Sequence, residues 1–193
     1  MDIRQFFFKN RSYTPIPLIL LLLFFSKPYQ PIIYFGFILL AIGELGRIWA
    51  NSYAGGRTRT TKVGASKLCT SGPFAYLRNP LYLGNMIIYL GIVLIAGGST
   101  VWFMLCIMLL FFIIQYLLIV SLEQETLTKL FDKEYLTYCK NVPALIPRLT
   151  PWKLATKQEP LCFKKVLKSE KSTLLNILLI LILISIRTQI SAI

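Results

Sequence analysis

Long apolar stretches, broken by short polar ones, organise this chain. Leu81 to Ala96 carries no charge, and neither does Thr100 to Leu122. At about 1.5 Å per helical residue each approaches or crosses a ~30 Å hydrocarbon layer, so these are the two firmest membrane spans. Two runs are shorter. Ile16 to Phe25 is fenced by Pro15, Pro17 and Pro28, and Leu174 to Ile186 ends at Arg187. At about 10–14 residues such runs fit hairpin helices, interfacial segments or spans of a thinned bilayer. Ile32 to Ala50 is long enough to cross but holds Glu44 and Arg47.

The punctuation supports helices throughout. Asn79-Pro80 has the residues of an N-cap and a first helical position, placing the start of the third span. Gly97-Gly98-Ser99 predicts a tight turn into the fourth. Past Leu122 no breaker intervenes, and Leu127, Leu130, Phe131, Tyr135 and Tyr138 recur at helical spacing until Pro143 and Pro147. The fold class is therefore all-α, a polytopic bundle of about four to five membrane helices. Its expected divisions are N-terminal membrane helices over 1–50, a core over 51–149, and a basic segment with a last apolar helix over 150–193. The proline-flanked first run lacks a small-residue cleavage site, so no cleavable signal peptide is expected.

Composition agrees: 55% of the 193 residues are hydrophobic. The net charge of +13 would suit nucleic acid if it were spread evenly, and it is not. With crossings beginning at Ile16, Ile32, Leu81, Thr100 and Leu174, three basic residues precede the first span. Five lie between the second and third, and ten follow the fourth; these eighteen of the 21 Lys and Arg fall on one side. This positive-inside bias places the polar regions in the cytoplasm and favours anionic lipids over nucleic acid. The segment Lys153 to Lys171 reads as an amphipathic surface helix on such lipids. Four cysteines without CxxC spacing and a complete lack of histidine argue against a metal site, a Ser-His triad and imidazole catalysis.

Chemistry must come from other side chains. Glu44 and Arg47 are either an i,i+3 ion pair or part of a cleft wall. Arg78, Asn79, Pro80, Leu81, Tyr82 and Gly84 crowd one span boundary, and a helical hairpin brings Glu123 and Glu125 to the same membrane face. Together they make a cytoplasm-facing polar pocket suited to a zwitterionic cofactor.

Leu68 to Gly84, with Gly72-Pro73, Arg78, Pro80, Tyr82 and Gly84, resembles the signature of the isoprenylcysteine carboxyl methyltransferase family. A second block, Glu123, Leu127, Phe131, Tyr135, Tyr138, Val142-Pro143 and Pro147-Arg148, is similar to that family's ending. The likeness runs from about Arg57 to Arg148, and it implies S-adenosyl-L-methionine (SAM) as cofactor. The contacts it implies fall on Lys67, Leu68, Cys69, Phe74, Asn79, Pro80, Leu81, Tyr82 and Glu123, with Arg78, Tyr82 and Glu125 at the reaction centre. Three positions depart: Asn79 stands where the family has His, Gln124 replaces a second Glu, and Ile119 stands where the prenylcysteine enzymes carry a substrate-side arginine. The last argues against a prenylcysteine carboxylate as acceptor.

The expected activity is SAM-dependent methylation of a lipid-like substrate, with O-methylation of a carboxylate or phosphate favoured because an oxyanion needs no general base. An amine would have to arrive neutral or pass its proton to Glu125 or water. Arg57, Arg59, Arg78 and Arg148 are candidates to hold an anionic headgroup; for Arg57 and Arg59 positive-inside anchoring is the stronger reading. Alternatives are phospholipid N-methylation, an NADPH-dependent membrane reductase and a non-catalytic protein of the same fold.

Overall fold

Prolines and glycines cut the apolar chain into six α-helices among the described residues: α1 (Ile3–Asn10), α2 (Ile16–Phe25), α3 (Ile32–Tyr53), α4 (Pro80–Ala96), α5 (Val101–Asn141) and α6 (Phe163–Ile190). A 3₁₀ turn, Gly72–Ala75, precedes α4. The computed structural model describes residues 2–29, 31–55, 64, 67–153 and 158–190. Three helices, α3, α5 and α6, are long and apolar enough to cross a membrane, and α2 and α4 are shorter apolar helices. The all-helical reading holds, and the chain is an integral membrane protein.

Two ends differ from expectation. α1 was not foreseen; Asp2 caps it, its Oδ1 accepting from the Arg4 amide at 2.9 Å. At the other end, the basic segment is not a separate surface helix. No proline follows Pro160, so helix runs unbroken from Phe163, and Lys164 to Lys171 form the first turns of α6.

Glycine sets how closely the central pair packs. Gly36 and Gly43 on α3 face Gly91 and Gly84 on α4 in antiparallel register. A Cβ on Gly43 would lie 2.9 Å from the Gly84 carbonyl oxygen, and one on Gly36 would lie 2.7 Å from that of Gly91. Backbone therefore touches backbone, which in lipid replaces the missing hydrophobic drive with dispersion. The α4–α5 turn needs glycine for a second reason: φ is 61° at Gly97 and 92° at Gly98. The Lys27 amide bonds the Ala96 carbonyl at 2.9 Å, holding the α2–α3 link on this turn.

α5 is the longest element. Its 41 residues extend about 60 Å, twice a hydrocarbon core, so its second half projects beyond the bilayer. At Asp132 the backbone leaves the helical region (φ 40°, ψ −116°) and the helix kinks. Beyond the kink, Tyr135, Tyr138 and Val142 bury against Leu68 in a small satellite core with Trp152 alongside. Leu130, expected on this apolar face, points outward.

Gly43→Val places a Cβ and its two methyl groups where the α4 backbone lies. Overpacking of this kind costs about 1–3 kcal/mol. The expected result is a fall in detergent unfolding temperature of about 3–10 °C; an unchanged midpoint would contradict the close crossing.

Candidate functional site

The site is a cavity of about 340 Å³ between α4, α5 and α6, roofed by the connector before α4 and by the segment after α1. That size lies within the ~300–1,000 Å³ of small-molecule pockets. Its two ends differ in chemistry.

The polar end collects Lys67, Leu68, Cys69, Phe74, Arg78, Asn79, Pro80, Leu81, Tyr82 and Glu123 around one space, with Gln124, Leu127, Tyr135 and Tyr138 beside them. Backbone bonds hold this arrangement. The Tyr138 hydroxyl donates to the Phe74 carbonyl at 2.7 Å, and the Arg78 amide donates to the Pro143 carbonyl at 2.9 Å. Asn79 occupies the N-cap position of α4, yet its side chain makes no capping bond; its Nδ2 donates to the Ala144 carbonyl at 2.9 Å. The hairpin brings Tyr82 to Glu123, with the hydroxyl donating to Oε1 at 2.7 Å. Arg78 Nη1 donates to the Cys139 sulfur, while its buried Nε has no acceptor among the described residues. The Cys69 thiol donates to the Tyr53 carbonyl at 3.3 Å, and burial pushes it up to about 11, against a smaller downward pull from the Ser71 backbone.

The other end enters the membrane. Ile88, Tyr89, Ile92, Phe112, Ile177 and Ile180 line it. Aromatic rings make its floor: Tyr82 stacks on Tyr116 with centroids 4.6 Å apart, and Phe112 lies 5.4 Å from Tyr116.

One buried ion network forms the junction. Arg47 Nη2 donates to Glu170 Oε2 at 2.7 Å and to Thr173 Oγ1 at 3.2 Å, and Nη1 donates to Asn85 Oδ1. Asn51 Nδ2 donates to the other Glu170 oxygen at 3.0 Å. Glu44 stands 3.8 Å from Arg47 Nε, and neither of its oxygens has a hydrogen-bond partner among the described residues. Both sequence readings of this pair therefore hold in part, but the nearer partner of Arg47 comes from α6. Arg47 and Asn85 also line the cavity.

Glu125 does not share the cavity. Two residues beyond Glu123, it turns to about the opposite side of α5, where it is exposed and bonds Lys129 at 2.7 Å and Arg4 at 3.2 Å. Glu125 thus faces away from the cavity, contrary to its expected place at the reaction centre. Arg148 is likewise outside, bonding the Asn141 carbonyl at 2.6 Å. Arg57 and Arg59 lie outside the described residues. The sequence reading missed Arg11, Asn85, Tyr116, Thr173 and Asn176, all in the lining. For Asn85 a signal existed: it is a lone amide in the apolar run of α4, on the same helical face as Tyr82 and Tyr89. Arg11 carried none, since the turn that seats it over the Phe8 ring (4.4 Å) follows from tertiary packing.

The comparisons with known proteins can be set on this geometry. The chain is 30% identical over 115 residues to the cobalt-zinc-cadmium resistance protein CzcN of Cupriavidus metallidurans, covering 60% of this chain and 49% of that protein. It has the same identity and coverage with the nickel-cobalt-cadmium resistance protein NccN of Alcaligenes xylosoxydans xylosoxydans. The chain thus spans about half the length of the curated relatives it matches. No solved structure matches it. The profile of the phospholipid methyltransferases matches residues 31–134, over half of the chain, from α3 through the Tyr82–Glu123 pair. By that match the protein belongs to the phospholipid methyltransferase family.

Proposed function

We propose that the protein is a SAM-dependent methyltransferase whose acceptor is a membrane-soluble amphiphile, methylated on a carboxylate or phosphate oxygen at the cytoplasmic face. The observation that carries this reading is the single cavity joining a polar, charge-bearing end to an apolar, membrane-buried end. A water-soluble cofactor and an apolar-tailed acceptor can approach each other there from opposite sides.

The residues at the polar end fit SAM by their chemistry. Glu123 can receive an ammonium, Lys67 and the unpartnered Nε of Arg78 can meet a carboxylate, and Leu68 and Phe74 offer apolar surface to a base. When bound, SAM supplies an electrophilic methyl on a sulfonium sulfur. The chain's own task is alignment and exclusion of water. Tyr82 fixes the Glu123 carboxylate by its hydrogen bond, and the stack on Tyr116 fixes Tyr82. Arg11, at the cavity wall with Ser12, brings positive charge to the neighbourhood of Tyr82 and Glu123, and we assign it to the acceptor, where it favours an anionic oxygen. With no base required, the absence of histidine costs nothing. The family description supports a second reading, N-methylation of an amino-phospholipid.

The charge distribution supports the cytoplasmic placement. Lys164, Lys165, Lys168 and Lys171 stand exposed at the head of α6, suited to anionic headgroups. The relatives' names speak of metal resistance. Among the described residues no three His, Cys, Asp or Glu gather to hold an ion.

Calorimetric titration of SAM into the protein in nanodiscs tests the cofactor assignment. Saturable binding is expected, with Glu123→Ala weakening it about a hundredfold or more, as for loss of a buried charge partner. Unchanged affinity in the variant would refute the assignment. Cys69 gives a second probe. Its raised thiol keeps the neutral form at pH 7.5, so maleimide should modify it about tenfold or more slower than exposed Cys162. The rate should climb as pH approaches 11, and SAM should suppress it; peptide mapping of the adducts reads both. Arg11→Ala should raise the acceptor KM about tenfold in a methyl-transfer assay while leaving SAM affinity within about twofold. Equal KM values would remove Arg11 from the acceptor side.

A further inference from the structure

The last helix presents two unlike faces. Val166, Glu170, Ile177 and Ile184 are buried, and Thr173 and Ile180 are partly buried between them. This is a seam alternating four and three residues, the pattern of a helix laid along a partner. Leu174, Leu175, Leu178, Leu179, Ile182 and Ile186 are exposed and suit lipid. α6 rests chiefly on α3 and α2, so the cavity remains open between its seam and the α4–α5 hairpin.

Asn176 breaks this division. It lines the cavity and is also exposed, so it stands at the cavity's opening toward the bilayer. It lies about 8 Å along the helix beyond Lys171, where apolar residues already surround it. It makes no hydrogen bond among the described residues. An amide facing hydrocarbon without a partner is costly, and polar side chains at such depth mark substrate paths. One turn deeper, Ile180 borders the apolar end of the same cavity. One and a half turns shallower, Glu170 is fully buried and holds Arg47 at 2.7 Å, fixing how far α6 can slide or rotate against α3.

We propose that α6 is the acceptor-reading helix, past which a long-chain amphiphile enters sideways from the bilayer. Asn176 hydrogen-bonds its polar head at the mouth, and Ile180 borders its tail. Glu170 is a positioning residue that sets the register of both through Arg47. This rests on the methyltransferase reading for the word acceptor, but the lipid chamber itself is testable without SAM. The helix lies beyond the stretch matched by the family profile, residues 31–134, so acceptor choice is placed outside the shared core.

The test uses the full chain in phosphatidylcholine nanodiscs and C16 amphiphiles with a diazirine in the tail, one with a carboxylate head and one with a primary amine. Photolabelling mapped by peptide should fall on residues 176–180 for at least one probe and be competed by its unlabelled parent. N176L should weaken that competition about tenfold without changing the preferred chain length. I180W should shift preference from C16 toward C12. E170Q should blunt chain-length discrimination, a readout that simple loss of stability does not move. SAM affinity should stay within about twofold in all three. Wild-type competition curves in folded N176L and I180W would overturn the proposal. If wild-type protein binds no SAM while the labelling and its shifts persist, the chamber stands and the methyltransferase reading falls.

Discussion

A single buried guanidinium ties α3 to two of the helices that enclose the cavity. Arg47 on α3 reaches Asn85 on α4 and Glu170 and Thr173 on α6. Removing charges from water is expensive, and a buried pair is tolerated only when its remaining donors and acceptors are satisfied. Asn51 completes Glu170, and Asn85 with Thr173 and Glu170 take both terminal nitrogens of Arg47. The Arg47–Glu170 pair itself thus largely meets that condition, while Arg47 Nε and the Glu44 oxygens have no hydrogen-bond partner among the described residues. Breaking such a pair costs about 3–5 kcal/mol, because the abandoned charge stays buried. The geometry of the cavity wall is therefore as rigid as this network, and every contact proposed for α6 depends on it.

The glycine crossing makes the network possible. With backbones in contact along Gly36–Gly91 and Gly43–Gly84, the side chain of Arg47 passes beside Gly84, where a Cβ would lie 2.5 Å from Arg47 Cγ. Only a residue without a side chain leaves that route to Asn85. The same crossing fixes the start of α4, hence Tyr82, against the point where α5 leaves the membrane. The length of α5 then matters in turn: its kinked extension carries Tyr135 and Tyr138 back over the polar end. Close packing within the bilayer and a polar roof outside it thus produce a cavity graded from charged to apolar.

What was legible in the sequence follows the range of the forces involved. Helix type, the α4 start and the α4–α5 turn are written in local signals: apolar runs, Asn79-Pro80 and Gly97-Gly98. The convergence of Tyr82 with Glu123 could be read because one short hairpin enforces it. The Arg47–Glu170 pair could not, since its partners lie 123 positions apart and nothing local selects Glu170 over Glu44. Glu125 was misplaced for the opposite reason. Its nearness to Glu123 in sequence suggested a shared site, but two helical steps turn it away to Arg4 and Lys129. The α6 seam was written in the spacing from Val166 to Ile184, though recognising it required seeing the helix begin at Phe163 rather than at Leu174.

The account's central claim is that one cavity receives cofactor and acceptor from opposite ends. The most direct measurement is an experimental structure of the protein in a nanodisc with S-adenosylhomocysteine at saturating concentration. Density for the nucleoside and amino acid bounded by Cys69, Asn79 and Glu123, with a separate tubular density running past Asn176 toward Ile180, is the predicted result. Cofactor density on any other surface, or side chains collapsed to fill the space between Tyr82 and Ile180, would contradict it.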